Sequence, residues 1–319
     1  MILLALQSGT PLTPASVAGA RENVLFFSLV AMSVFFCVLI FGAIFYFSIR
    51  YRRRDSRIPP VIRQSIPLEI AWTVIPTILM FGIFLWAGSQ FFRSAEPPPG
   101  AIDVFVIGKQ WMWHVQHAEG QREINELHIP VDTPVRLTMA SQDVIHDFFV
   151  PAFRQKRDVV PGHYEIQWFL PTKVGRYRFF CSQYCGTMHS QMIGWVYVMS
   201  KADYAAWMQQ NLPIHPPANV GKRIFEKHAC DSCHQADHSG VGPSLAGVFG
   251  SVATLSNGQR REVDDSFIRD IVLDPTTLPI AGYPQVMPSF RGEITEQEML
   301  DLIAYLRSLS DQDQSKVSP

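Results

Sequence analysis

The chain has 319 residues and a net charge of −1, with a mean hydropathy of +0.08. The length allows two or three domains, and the balanced charge excludes the strongly basic surface typical of proteins that bind nucleic acid. The hydropathy is high for a soluble protein, and the apolar residues are concentrated near the start of the chain.

Two long apolar runs, at residues 24–49 and 70–92, contain no charged side chain. A bilayer core needs about 20 apolar residues in a helix, so each run can span it. Soluble helices of this length usually carry a polar face, which these runs lack. They therefore predict a hairpin of two transmembrane helices at about residues 24–49 and 68–92, within an N-terminal segment of residues 1–100 that contacts membrane lipid.

The loop between the two runs predicts the orientation of this anchor. It contains a single acid, Asp55, and six arginines: Arg50, Arg52, Arg53, Arg54, Arg57 and Arg63. Loops rich in arginine and lysine stay on the cytoplasmic side. We therefore expect a chain with two spans in a bacterial inner (cytoplasmic) membrane, with everything after Phe92 on the periplasmic or extracytoplasmic side.

Beyond the anchor the pattern changes twice. Short segments rich in β-branched and aromatic residues fill residues 101–200, which predicts an antiparallel β sandwich or barrel. Residues 201–219 read as a helix and a proline-rich linker of about ten residues. Residues 220–310 have helical periodicity, clearest at 295–309, where Thr295 and Glu298 form a capping-box pattern. Residues 311–319 read as a polar tail.

Residues 181–192, CSQYCGTMHSQM, combine two cysteines, a histidine and a methionine, and His146 precedes them in DVIHDFFVP. Soft, sulfur-rich ligands of this kind select copper. Zinc is the alternative metal, because two cysteines and two histidines suit a tetrahedral structural site, although zinc does not need the methionine. A Cys181–Cys185 disulfide is the alternative without a metal, since an extracytoplasmic compartment permits it.

This segment resembles the CxExCGxxHxxM loop of cytochrome oxidase subunit II, and the likeness extends over residues 20–200. The resemblance implies a cupredoxin-like domain with a binuclear CuA centre, bridged by the two cysteines. The implied ligands are the side chains of His146, Cys181, Cys185, His189 and Met192 and the backbone carbonyl of Gln183. Gln183 stands where most of the family has a glutamate, so the family's magnesium-binding carboxylate is missing here.

Two further residues gain a role from the resemblance. Trp111, in GKQWMWHV, matches the family's electron-entry tryptophan, whereas packing in the sandwich is the other interpretation of the tryptophans there. Glu69, in LEIAWTVIP, matches a glutamate at the mouth of a proton pathway into the large subunit. An acid at the start of a helix is also favoured by the helix dipole, so this second reading of Glu69 stays open. Asp143 and Asp147 read either as a docking patch or as solvated loop acids.

The segment HACDSCHQ contains Cys230, Cys233 and His234 in a C-x-x-C-H pattern, which is the attachment signature of haem c. A dithiol would not need the histidine, and a zinc site would need two more ligands. Residues 241–250 and the MPSF segment that contains Met287 resemble loops of class I cytochromes c. The resemblance implies an all-α domain with one covalently bound haem, held by His234 and Met287. Such ligation leaves no open position and suits an electron carrier.

Together these features predict the electron-input subunit of a caa-type cytochrome c oxidase. Its partners would be the large haem–copper subunit I, which reduces dioxygen to water and pumps protons, other oxidase subunits, and an upstream donor, either a cytochrome c or a quinol-oxidising complex. Two alternatives are the CuA subunit of a nitric oxide reductase and a membrane-anchored redox shuttle without an enzymatic partner. This chain lacks the histidine-bearing spans that dioxygen reduction needs, so it is part of an enzyme and not a whole one.

Overall fold

A computed structural model describes residues 13–52, 64–237 and 239–317, with side chains up to residue 310. Two long helices come first, α1 (Val17–Arg50) and α2 (Ile66–Ala95), and each starts and ends a few residues beyond its predicted span. Their apolar side chains are exposed along the whole length, as expected for helices that face lipid. Most of the arginine-rich loop that predicts the orientation lies outside the described residues.

The start of α1 is joined to the domain that follows. Ser16 caps the helix by accepting a hydrogen bond from the Gly19 N–H at 3.0 Å, and its hydroxyl donates to the Phe153 carbonyl at 2.9 Å. One turn further on, the Arg154 guanidinium donates two hydrogen bonds to the side-chain oxygen of Asn23. The anchor is therefore fixed to the β domain by polar contacts as well as by the chain itself.

The β domain is a sandwich of two five-stranded sheets, with strand orders β3-β2-β1-β5-β8 and β4-β10-β9-β6-β7. Neighbouring strands are antiparallel except for the β1–β5 and β4–β10 pairs, which are parallel. The strands are β1 (Ile102–Lys109), β2 (Met112–His117), β3 (Arg122–Ile124), β4 (Glu126–Pro130), β5 (Val135–Ser141), β6 (His146–Val150), β7 (Gln155–Val159), β8 (Glu165–Phe169), β9 (Gly175–Cys181) and β10 (Ile193–Met199).

The core of the sandwich follows from the alternation of its strands. Along β10 every second residue is buried, as expected for a strand with one face on the core. The Trp113 ring is fully buried and packs edge-on against Phe148 and Phe179, at centroid distances of 5.2 and 6.3 Å. Trp113 is thus a packing residue, and the predicted sandwich, preceded by two apolar helices, is confirmed.

A short helix, α3 (Lys201–Gln210), leaves the sandwich and leads to the last domain. The His128 ring is stacked between Tyr197 and Trp207, at centroid distances of 4.5 and 4.6 Å, which holds α3 against the sheet. The following linker is shorter than the sequence predicts, because α4 (Pro217–Lys227) already begins at Pro217. Proline is favoured at the first position of a helix, where its missing N–H has no intrahelical partner to lose.

The C-terminal domain packs α4 against α6 (Glu296–Val317), with α5 (Asp265–Leu273) beside them. Gly221 permits the close approach, since a Cβ there would lie 1.9 Å from the Asp301 carbonyl oxygen. The predicted capping box is present: the Thr295 N–H donates to the Glu298 carboxylate at 3.0 Å, and the Glu298 N–H to the Thr295 hydroxyl at 3.2 Å. The helix continues to Val317, past the predicted start of the tail.

One element of this domain departs from the all-α prediction. A two-stranded hairpin, β11 (Val252–Thr254) and β12 (Arg260–Glu262), lies between α4 and α5. Its strands are too short to produce a visible period-2 pattern in the sequence. The domain is nevertheless helical in its core, and the predicted order of anchor, β domain and helical domain is confirmed.

The helical domain is docked on the outer side of the first sheet. At one edge the Arg122 guanidinium donates to both carboxylate oxygens of Asp301 at 2.7 Å. At the other edge Arg269, which is 2% exposed, donates to the Gly162 carbonyl at 2.8 Å and pairs with Glu296. The two domains therefore have a defined contact and are not joined by the linker alone.

Candidate copper and haem sites

The two cysteines of the predicted copper site lie at one end of the second sheet. Cys181 is the last residue of β9, and Cys185 follows in the loop before β10. Both side chains are buried, and their sulfur atoms are 3.7 Å apart without a bond between them. The disulfide alternative is therefore not formed, and two thiols face the same small space.

The other predicted donors converge on these sulfur atoms. The Cys181 Sγ lies 3.9 Å from His146 Nδ1 and 3.2 Å from the Gln183 carbonyl oxygen. The Cys185 Sγ lies 3.4 Å from His189 Nδ1 and 3.8 Å from the sulfur of Met192. All six donors predicted from the sequence are thus brought together. Met192 is fully buried, and a buried thioether beside a pair of thiols suits copper better than zinc.

A carboxylate behind His146 fixes the orientation of its ring. Asp143 lies 2.8 Å from His146 Nε2 and accepts a hydrogen bond from the Gln110 N–H at 2.7 Å. Burial lowers the pKa of His146, but the hydrogen bonds to Cys181 and Asp143 outweigh this effect and raise it. A carboxylate on the far nitrogen of a ligand histidine selects the tautomer that leaves Nδ1 free for the metal.

The environment of Asp147 differs from the exposed position that the sequence suggests. Its side chain is fully buried, and it accepts a hydrogen bond from the Ser182 hydroxyl at 2.6 Å. Burial raises its pKa, and the facing carboxyl of Asp158 raises it further. Neither Asp143 nor Asp147 is therefore a free surface acid, and the two expectations of a docking patch or solvated loop acids are wrong for Asp147. Both residues instead support the loops that carry the donors.

The two thiols differ in acidity. Burial raises the pKa of Cys181, but hydrogen bonds from His146 and from backbone groups lower it overall to about 7. Burial, together with the neighbouring Cys181, raises the pKa of Cys185 to about 12. Metal binding would require both thiolates, so loading the site releases protons.

Trp111 lies over the loop that carries Cys185. Its indole N–H donates to the Cys185 carbonyl at 3.1 Å, and the Gln110 side-chain amide donates to the same oxygen at 2.8 Å. Gly186 makes this approach possible, since a Cβ there would lie 3.2 Å from the indole and the residue has φ +116°. Trp111 is therefore in direct contact with the cysteine loop, unlike Trp113 in the core.

The C-x-x-C-H segment forms a turn after α4. Its residues Cys230, Cys233 and His234 line one large cleft, and the thiols are free. The Pro243 carbonyl lies 2.8 Å from His234 Nδ1, which leaves Nε2 available as a ligand. Gly242 is required beside the ring, because a Cβ there would lie 2.8 Å from it.

Met287 lines the same cleft as His234, as the sequence predicts. The remaining lining is mostly apolar, including Ile271, Leu278, Ile280 and Phe290. A large apolar cleft with two thiols, an oriented imidazole and a thioether fits a haem held through thioethers and two axial ligands.

Glu69 lies in the first turn of α2 and is exposed. No hydrogen bond or ion pair to its side chain is present among the described residues, while its backbone N–H bonds to the Ser65 carbonyl at 3.0 Å. The position fits an acid at a helix start as well as one that serves a partner subunit.

These features define a membrane-anchored redox protein with a sulfur-rich metal site and a haem cleft. Three family models match in order along the chain: Cytochrome C oxidase subunit II, transmembrane domain, at residues 5–87; the periplasmic domain of the same family at 121–198; and Cytochrome c at 218–310. The cytochrome c oxidase subunit 2 of Alkalihalophilus pseudofirmus is 31% identical over 288 residues, which cover 85% of this chain and 82% of that protein.

The chain therefore belongs to the cytochrome c oxidase subunit II family, with a fused C-terminal cytochrome c domain. Its relatives are subunits of oxidoreductases. A cytochrome c oxidase subunit 2 from Synechocystis is 28% identical over 253 residues, covering 63% of this chain and 76% of that protein. The crystal structure of the periplasmic domain of subunit II from Bradyrhizobium japonicum is 27% identical, with a TM-score of 0.35, and covers 36% of this chain and 96% of that domain.

Proposed function

We propose that this chain is the electron-input subunit of a caa-type cytochrome c oxidase, in which electrons pass from haem c to CuA and on to the large subunit that reduces dioxygen and pumps protons. The observation that carries the proposal is the convergence of four further donors on two free thiols, in a chain that also holds a haem cleft. When bound, the copper pair and the haem supply one-electron chemistry. The partners proposed are subunit I, other oxidase subunits, membrane lipid, and a cytochrome c or quinol-oxidising donor.

The proposed cofactors are two coppers and one haem per chain. Cys181 and Cys185 would bridge the coppers, with His146 and Met192 on one and His189 and the Gln183 carbonyl on the other. Cys230 and Cys233 would form thioethers to the haem, with His234 and Met287 as axial ligands. Metal analysis of the purified protein should give two coppers and one iron per chain, and electron paramagnetic resonance should show one unpaired electron shared by both coppers. A signal from a single isolated copper would contradict the bridged pair.

The contacts between the two domains support transfer within one chain. The linker of residues 211–216 can span at most about 20 Å, and the Arg122–Asp301 and Arg269–Gly162 contacts hold the domains together. A docked domain does not have to find its acceptor by diffusion. Trp111, which touches the Cys185 carbonyl, is the residue we propose to assist electron entry.

This arrangement can be tested by rapid photoreduction of the haem followed by the copper absorbance. The rate should be first order and unchanged by dilution, and it should depend weakly on ionic strength. Trp111→Ala should slow this step without loss of copper, whereas the nearby Met112→Ala serves as a control. A rate that falls in proportion to dilution would show that the haem domain serves another acceptor.

We also propose that Glu69 assists proton uptake by the large subunit, because an acid at the depth of a membrane helix usually serves a function. Glu69→Gln should slow oxidase turnover while the copper content and haem reduction remain as in the wild type. Glu96→Gln, at the opposite end of α2, is the matched control. Unchanged turnover across the pH range would leave Glu69 with its role at the helix start.

A further inference from the structure

Two buried hydrogen-bond donors lack an acceptor where the anchor meets the sandwich. They are the side-chain amide nitrogen of Gln90, near the end of α2, and the indole nitrogen of Trp168, on β8. No acceptor for either is present among the residues that the structure describes. Leaving a buried donor unpaired destabilises the fold. Because both atoms can only donate, an acceptor from outside the described residues is expected here.

Both residues line one small cleft, together with Arg21, Arg93 and Glu22. Neither arginine has an ion-pair partner within the described part of the chain. The cleft therefore carries two guanidinium groups against one carboxylate, in addition to the two unpaired donors. Guanidinium groups that line one cleft, with unpaired N–H donors on the residues beside them, suit the binding of a phosphate.

The position of the cleft along the anchor indicates where the phosphate comes from. Arg21 precedes the charge-free residues 24–49 of α1, and Arg93 follows the charge-free residues 70–92 of α2. Both guanidinium groups therefore stand where the hydrocarbon core ends and the headgroups begin. Gln155 and Trp168 contribute the lining of the cleft on the side of the sandwich.

We propose that this cleft binds the phosphate of a membrane phospholipid and so joins the anchor to the copper domain through a lipid headgroup. Arg21 and Arg93 neutralise the phosphate, and Gln90 and Trp168 donate hydrogen bonds to its oxygens. Free inorganic phosphate offers the same oxygens but has no acyl chains to hold it beside the spans. The proposal depends on the membrane anchor and not on electron transfer, so it can fail while the proposed function holds.

The test uses the purified full-length protein in its complex, with copper and haem loaded, after its lipids have been exchanged for detergent. Phosphatidylglycerol is then titrated in, and the retained lipid is counted by native mass spectrometry. Monogalactosyldiacylglycerol, which has similar chains but no phosphate, and inorganic phosphate are titrated separately. We expect each wild-type chain to retain one phosphatidylglycerol. In Arg21→Gln/Arg93→Gln the affinity for this lipid should fall about tenfold or more, because charge-assisted hydrogen bonds are lost. Arg50→Gln, at the opposite end of α1, is the matched control and should retain the lipid.

Trp168→Phe is a second test for the case in which the double variant fails to assemble, because it removes only the indole donor. It should weaken phosphatidylglycerol binding by a few-fold. Equal retention of the galactolipid, or equal retention of phosphatidylglycerol by wild type and variants, would overturn the proposal. Displacement of the bound lipid by inorganic phosphate, to the same extent whatever the acyl chains of the lipid, would also overturn the proposal. The site would then be one for free anions.

Discussion

The copper site and the haem cleft differ in how far the protein completes them without a cofactor. The copper donors Cys181, Cys185 and Met192 belong to the buried core of the sandwich, together with Trp113 and Phe148. In the haem domain, Cys230 and Met287 are only partly buried beside the core, and the cleft between them is large and apolar. The comparison indicates that copper is added to a finished core, whereas haem supplies part of the core itself.

The strongest test of this contrast removes each cofactor in turn. Cys230→Ser/Cys233→Ser, which cannot attach haem, should lose the cooperative unfolding of the helical domain, because an empty apolar cleft of this size cannot be closed by small shifts of the side chains. Removal of copper by a chelator should leave the β-sheet signal and the cooperative unfolding of the sandwich intact. Circular dichroism and scanning calorimetry measure the unfolding of the two domains. Cys37→Ser, in the anchor, is the control. A helical domain that folds cooperatively without haem would contradict the proposed difference between the two sites.

A smaller effect is expected behind the copper ligands. Asp143→Asn replaces one of the two carboxylate oxygens that serve His146 and the Gln110 N–H with an amide NH₂ that cannot accept. Copper affinity should fall about 10–100-fold, as is usual when a residue that orients a ligand is lost, while the stability of the sandwich changes little. Competition with a copper chelator measures the affinity. Asp132→Asn, in a turn of the same domain, should bind copper as the wild type does, and unchanged affinity in Asp143→Asn would deny it an orienting role.

The smallest effect concerns the capping box of α6. A hydrogen bond from the Thr295 N–H, together with Lys227, lowers the pKa of Glu298 below its usual 4.5. A carboxyl whose pKa is lower in the folded state stabilises the fold above its unfolded pKa and loses this contribution as the pH falls through the folded pKa. Glu298→Gln should therefore destabilise the haem domain by about 0.3–1 kcal/mol at neutral pH.

The difference between Glu298→Gln and the wild type should disappear as the solution is acidified below the folded pKa. Thermal unfolding at several pH values measures it, with Glu293→Gln as the control, since Glu293 precedes the helix and lies outside the capping box. A difference that persists in acid would mean that the side chain acts through packing and not through its charge.

Most of the architecture and the ligand set could be predicted, because the relevant signals are local in sequence. The charge-free runs predict α1 and α2, and the spacing from Cys181 to Met192 brings five of the six donors into one loop. The role of Asp143 could not be predicted, because it depends on which way the loop between β5 and β6 turns its side chain. The contact between Arg269 and the Gly162 carbonyl joins residues that are 107 positions apart, and no local pattern signals such a pair.

The predicted end of the linker was wrong, and the sequence contains the signal that corrects it. Three prolines near residue 216 suggest an extended segment, but Pro217 is followed by ANVGKRIFEK, which has helical periodicity. Proline at the first position of a helix is favourable, so the helix begins there. The hairpin of β11 and β12 was missed for a different reason, since strands of three residues carry almost no periodic signal.

The docking of the haem domain has a consequence for selectivity among electron carriers. The domain covers Gln116 and engages Arg122 on the outer side of the first sheet, so it occupies this face in the structure. A diffusing carrier would first have to displace a competitor that is covalently attached and thus present at a high effective concentration. Exclusion by a resident domain requires no recognition of the excluded protein, and it works equally against carriers of either charge.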